Sequence, residues 1–124
     1  MFLNQVLMGV WYDAYTIFGI EYSYKELEHL KEQKEFKKMK ELIDCNELPN
    51  LLSELFDNQF VTFITNNNYV TEKEQIYYLC IKLTDQRLYN NPNYELYNLK
   101  IKKECDRLNI VYKIPDIHNI VVKS

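Results

Sequence analysis

The chain is expected to fold as an α+β domain: a small antiparallel or mixed sheet of four to five strands with about three helices packed on it. Three observations lead there. The run over residues 76–83 is rich in aromatic and β-branched residues and alternates with period 2. It puts Tyr77, Leu79, Ile81 and Leu83 on one wholly apolar face, and Tyr78, Cys80 and Lys82 on the other. That division suits an interior strand of a sheet with helices on one side. Two helices announce their ends by their chemistry, and the element order strand–helix–helix–strand–strand–helix–strand favours α+β over alternating βαβ units. At 124 residues the chain has the size of one domain, 1–124, long enough to bury a core without staples.

Residues 1–22 are read as one or two strands. Phe2, Val6 and Val10, with Leu3, Leu7 and Trp11, could also line a helix, but 10–22 is too aromatic and β-branched for anything except strand. Gly9 and Gly19 fall here, and a glycine inside a strand marks a bulge or a close backbone approach. Ser23-Tyr24-Lys25-Glu26 has the Ser-x-x-Glu form of a capping box, so a helix starts at Tyr24. At 100° per residue, Leu27 and Leu30 face nearly opposite to Phe36, Met39 and Ile43. A break near Gln33-Lys34 resolves the conflict. An unbroken helix over 24–44 would instead need a second copy, a homodimer, to cover its far face.

Pro49 suits the first turn of a new helix with Leu48, Leu51, Leu52 and Leu55 on one stripe, ended by Asp57-Asn58. Residues 60–65 are a strand, and Asn66-Asn67-Asn68 reads as a turn because Asn tolerates positive φ. A hairpin into 76–83 follows, with a charged loop over 70–75. The loop at 85–93 ends in Asn93, placed to cap a helix from Tyr94 to about Leu108. Tyr94, Tyr97, Ile101, Cys105 and Leu108 share one face of that helix, and Asn109 is its left-handed stop. Residues 110–114 form a last strand, broken at Pro115, which the tail 117–122 resumes.

Composition limits function more than motifs do. Eleven Tyr and thirteen Asn stand against one Ala, two Gly, three Pro and two Arg, which is the imprint of A+T-rich codons and suggests a phage, another virus, a mobile element or a low-G+C bacterium. Tyrosine in this quantity also furnishes protein-binding surface. Cys45, Cys80 and Cys105 are odd in number and lack a C-x-x-C, so reduced thiols are expected, without a disulfide framework or zinc knuckle. No apolar run reaches the roughly 18–20 residues that span a bilayer, and no signal-peptide pattern opens the chain. A cytoplasmic protein without membrane contact is the expectation.

No phosphate-cradling or nucleophile-elbow motif occurs, and two glycines leave little material for one. Glu26 and His29 have a Glu-x-x-His spacing, but a di-metal site would need a second such pair. His118 has no acid or nucleophile at a recognised spacing. Cys80 and Cys105 sit in apolar patterns where a thiol is a small hydrophobe. Asp13 beside Trp11-Tyr12 is one carboxylate without a mechanism. Neither cofactor nor metal is called for, and the reading leans away from an enzyme. Net charge of −3 and only Arg87 and Arg107 disfavour nucleic acid.

Charge is arranged in blocks. Residues 31–40 hold five Lys against two Glu, whereas 41–57 hold Glu41, Asp44, Glu47, Glu54 and Asp57 with no Lys or Arg. With the leucine stripe inward, these acids should form an exposed edge on a rigid element. The functional expectation is a non-catalytic protein-binding inhibitor acting through an acidic and Tyr-rich surface. It would be an immunity protein neutralising a toxin, or a phage or viral protein blocking a host defence factor. The contact residues would be Asp44, Glu47, Glu54, Asp57, Tyr89 and Tyr94, against a partner with a basic surface. A small enzyme with a site assembled from scattered residues, or a viral structural or oligomer subunit, are the alternatives.

Overall fold

A computed structural model describes residues 4–7, 10–84 and 91–123. Their order is β1 (Asn4–Leu7), β2 (Val10–Ser23), a short α1 (Tyr24–Leu27) running into a 3-10 turn (Glu28–Glu32), α2 (Lys34–Ile43), α3 (Leu48–Leu55), β3 (Thr62–Thr65), a second 3-10 turn (Glu72–Glu74), β4 (Ile76–Lys82), α4 (Tyr94–Leu108) and β5 (Asp116–Lys123). The five strands make one antiparallel sheet, so the α+β expectation holds.

The fourteen-residue β2 is its spine. Tyr12 and Asp13 pair with both β1 and β5, and residues 17–19 pair with both β4 and β5. A strand has only two edges, so β5 takes one and β1 and β4 share the other, end to end. β3 lies beyond β4. Gly19 sits where three strands crowd: a Cβ there would run into the Leu79 carbonyl oxygen and the Cys80 side chain, a close approach that only glycine permits. At one corner the outer edges of the sheet meet. Lys123 donates its N–H to the Asn66 carbonyl (2.9 Å) and accepts from the Asn68 N–H (2.8 Å), which curls the sheet.

The two faces differ as the alternation of β4 requires. Tyr77, Leu79, Ile81 and Leu83 are buried in the main core with Phe18, Ile20 and Tyr22 of β2 and with the helices. The concave face holds a smaller cluster of Ile17, Ile64, Tyr78, Cys80 and Ile120. Burying the main core supplies most of the stability, at about 25 cal/mol per Å² of apolar surface.

The helices begin and end by identifiable chemistry. Ser23 and Glu26 close the capping box, Glu26 accepting from the Ser23 N–H at 3.0 Å. The change of apolar face is met by a break: Gln33 is extended (ψ 146°), and the chain restarts at α2, where Phe36 is fully buried and Met39 and Ile43 pack on the same core. The far face is thus covered within the chain, and the argument for a partner over 24–44 loses its premise. Asn93 accepts from the Leu96 N–H (3.1 Å), and α4 stops at Asn109 in the left-handed conformation (φ 56°).

Two expectations are corrected. Residues 110–114 are not a strand; β5 begins after Pro115, at Asp116. The segment is held by side chains instead of a ladder: Tyr22 donates to the Val111 carbonyl (2.6 Å), Tyr112 to Asn98 (2.5 Å), and Lys113 to the Glu21 carbonyl (3.0 Å). Ile114, 88% exposed, shows that apolar composition there is no sign of burial. The Asn66-Asn67-Asn68 turn does not use positive φ, which occurs at Asp44, Asn58, Asn91 and Asn109. It is built by side-chain carbonyls, Asn67 accepting from the Tyr69 N–H and Asn66 from the Ile76 N–H, each at 2.9 Å.

Candidate functional site: the acidic side of α3

The corner between α2 and α3 is rigid for local reasons. Asp44 closes α2 in the left-handed conformation (φ 50°), Glu47 is extended (ψ 126°), and Pro49 sits in the first turn of α3. Leu48, Leu51 and Leu52 are at most 1% exposed and fix how the helix lies. Glu47 and Glu54 are seven residues apart, two turns, and therefore rise along the same side of α3.

All five acids of this block, Glu41, Asp44, Glu47, Glu54 and Asp57, are exposed. Among the described residues none of them is in an ion pair, whereas several acids elsewhere are neutralised. Glu26 pairs with Lys113 (2.7 Å), Glu35 with Arg107 (2.9 Å) and Glu72 with Lys31 (2.7 Å). The negative charge of the corner is therefore offered to solvent.

Each end of this acidic side opens into a cleft holding an exposed aromatic ring. At the Glu47 end a cleft of about 400 Å³ is bordered by Pro49, Asn50, Tyr69 and Glu72. Tyr69 there is 60% exposed. At the Asp57 end a groove of about 530 Å³ is lined by Phe56, Phe60, Phe63 and Lys82. Tyr69 and Phe60 are contact candidates that the sequence pattern does not single out. The signal for Tyr69 is its place just past the Asn triplet, where a loop tip lifts a side chain away from the sheet.

Glu72, in the same cleft as Glu47, has the opposite environment. Its carboxylate accepts from Lys31 Nζ (2.7 and 3.1 Å), the Leu48 N–H (2.7 Å) and the Tyr24 hydroxyl (3.0 Å). Tyr77 donates to its backbone carbonyl at 2.7 Å. Burial pushes the Glu72 carboxyl up, but the donors outweigh burial and hold it below the usual carboxylate range. The Lys31 ammonium, which burial pushes down, is held above its ordinary value by the same pair. One residue thus ties the 3-10 turn after α1, the start of α3 and the β4 approach together.

Of the remaining candidates, Tyr89 lies outside the described residues. Tyr94 is half-buried, its ring 5.0 Å from Phe18 and 6.2 Å from Tyr97, so most of its surface is spent on the core. Glu26 and His29 do not converge: Glu26 is taken by Ser23 and Lys113, and His29 Nε2 donates to the Asn109 carbonyl at 2.8 Å. That bond, with Gln33 Nε2 on the Leu108 carbonyl at 2.6 Å, satisfies the C-terminal carbonyls of α4. Among the described residues no three His, Cys, Asp or Glu side chains gather where they could hold a metal ion. Burial pushes the Cys80 thiol up to about 12, and burial also raises that of Cys105. His118 stacks near Tyr78 (5.5 Å), and Asp13 is half-buried on β2. A cleft of about 680 Å³ lies between the 3-10 turn after α1 and α2; Glu28, Glu32, Lys37 and Lys40 mix both signs along it. No helix among the described residues is long and apolar enough to cross a membrane.

No family model, characterised protein or solved structure matches this chain.

Proposed function

We propose that the protein is a non-catalytic inhibitor that binds a basic surface of another protein through the acidic side of α3. One observation carries the reading: five exposed acids without ion-pair partners among the described residues, on a corner fixed by buried leucines. Charge held on a rigid element attracts a basic partner over several ångströms and costs little ordering entropy when the partner arrives. Tyr69 and Phe60, at the two ends, supply the large apolar contact area that charged rims lack. An immunity protein occluding the basic active site of a toxin, or a phage or viral protein blocking a host defence factor, would use such a surface. The A+T-rich composition agrees with either setting.

The test is kinetic. With a partner co-purified from the source cells, reversing Glu47, Glu54 and Asp57 to Lys should slow association about tenfold at low salt and flatten its salt dependence. The circular dichroism spectrum should not change. An unchanged on-rate would mean that these acids are only a solvated surface.

A further inference from the structure

We propose that the cleft at the Glu47 end of α3 is a binding site for an arginine side chain. The assignment rests on the reading of α3 as the contact with a basic partner, and it names the group that partner inserts.

Charge separates this cleft from its neighbours. Lys31, Lys37 and Lys40 line the cleft beside α2, and Lys82 lines the groove at the Asp57 end, so an ammonium already stands at each. The cleft of about 400 Å³ at the Glu47 end is bordered by two carboxylates, Glu47 and Glu72, and among the described residues no lysine or arginine lines it. Lys31, from outside the cleft, balances Glu72 at 2.7 Å. The uncompensated charge is therefore that of Glu47, which has no ion-pair partner among the described residues.

The walls suit a flat cation. Tyr69 is 60% exposed, and its ring already draws a cation: Lys123 Nζ stands 6.0 Å from the centroid, at the outer limit of a cation–π contact. Lys123 does not line the cleft, so the part of the ring that borders it is not spent on that ammonium. On the α3 side, Asn50 donates from Nδ2 to Cys45 Sγ at 3.0 Å, and its Oδ1 accepts nothing among the described residues. A carboxylate, an amide oxygen and an aromatic ring are what a guanidinium uses. It stacks on rings and holds five N–H donors in one plane, whereas an ammonium is a compact, strongly hydrated point charge. A bare metal ion is the wrong guest, because no three His, Cys, Asp or Glu side chains gather to ligate it among the described residues.

Both walls are held in place before a guest arrives. Pro49 opens α3 above the buried leucines. Gln75, 4% exposed, fastens the loop that carries Tyr69: its Oε1 accepts from the Asn67 N–H at 3.1 Å, and its Nε2 donates to the Asn67 and Val70 carbonyls. The Tyr69 N–H is tied to Asn67 Oδ1 at 2.9 Å. Little ordering is left for the guest to impose.

Titration of the isotope-labelled full chain with N-acetyl-arginine amide at low salt, followed by amide NMR, tests this. Saturable shifts centred on Asn50 and Tyr69 are expected, with a dissociation constant of about 1–10 mM. The citrulline analogue, which keeps the shape and loses the charge, and the lysine analogue should each bind at least about fivefold more weakly. Tyr69→Leu and Glu47→Gln should each weaken arginine binding about threefold or more, with the rest of the spectrum in place. Shifts that never saturate, that spread over every exposed acid, or that lysine amide reproduces would overturn the proposal. So would binding indifferent to Tyr69→Leu. Failure here, with association still slowed by reversing Glu47, Glu54 and Asp57, would strike the cleft and keep the acidic side. Saturable arginine binding with an unchanged partner on-rate would keep the cleft and strike the acidic side as the steering surface.

Discussion

Glu47 and Glu72 border the same cleft and are the same residue, yet they are put to opposite uses. Glu72 is gathered by an ammonium, a hydroxyl and a backbone N–H, and its side chain keeps only 15% of its exposure. Glu47 stands one residue before the N–H that Glu72 takes, and its carboxylate is bonded to nothing among the described residues. Its position at the start of α3 would let a carboxylate cap the helix, but Glu72 does that from across the fold. A carboxylate is therefore structural or available according to where donors have been brought, and donors come from tertiary contacts. A helix start already satisfied from a distance leaves its own acid at liberty for a partner.

Removing the Glu72 carboxylate should produce the largest effect on this comparison. Glu72→Ala leaves Lys31 with an unpaired ammonium at 14% side-chain exposure and the Leu48 N–H without its acceptor. A loss of about 2–3 kcal/mol in chemical denaturation is expected, against a whole stability of roughly 5–15 kcal/mol. A loss under about 0.5 kcal/mol would show that the two glutamates are alike after all.

Acid titration should follow the same line with a defined sign. The Glu72 carboxyl is held below its ordinary value in the folded state, so its contribution is fully present above the unfolded glutamate value of about 4.3. It disappears as pH falls through the lower folded value. Glu26 is shifted the same way, burial being outweighed by Lys113 and Ser23, so the wild-type curve reflects both. The difference between wild type and Glu72→Gln isolates Glu72. It should be constant near neutrality and shrink below about pH 4. A gap that does not narrow on acidification would place the Glu72 contribution outside its charge.

Tyr24→Phe should cost less, about 1 kcal/mol, because it deletes one donor to Glu72 and keeps the ring under Lys31. Thermal melts of Tyr24→Phe, Glu72→Gln and the double variant form a cycle, and a non-additive result is expected because the two groups touch.

Much of the fold was legible because its signals are local. The alternation of 76–83, the Ser23 capping box, the Pro49 start and the Asn93 and Asn109 ends each depend on residues a few positions apart, and each appears in the structure. The error at 110–114 has the same origin. Those residues look like a strand, but Tyr22, 89 positions away, claims the Val111 carbonyl. Glu72 was invisible for a related reason. It sits in Glu72-Lys73-Glu74, where its type and neighbours resemble any solvated loop, while its partners Lys31 and Tyr24 lie 41 and 48 residues away. The acidic side of α3 was readable because the leucine stripe dictates which way a helix of that sequence must turn.

The smallest expected effect concerns the free acids themselves, where direction matters more than size. Glu47 sits at the positive end of the α3 macrodipole and Glu54 in its last turn, at the negative end. Glu47→Gln should therefore destabilise and Glu54→Gln should stabilise, each by about 0.3–0.5 kcal/mol at low ionic strength. Neither substitution breaks a side-chain hydrogen bond among the described residues, so nothing stronger should mask the sign. Raising salt to about 1 M shortens the screening length to about 3 Å and should shrink both differences. Denaturant midpoints with an unchanged m-value give the measurement. If Glu47→Gln cost as much as Tyr24→Phe, Glu47 would be holding the corner, as Glu72 does, and the contrast between them would fail.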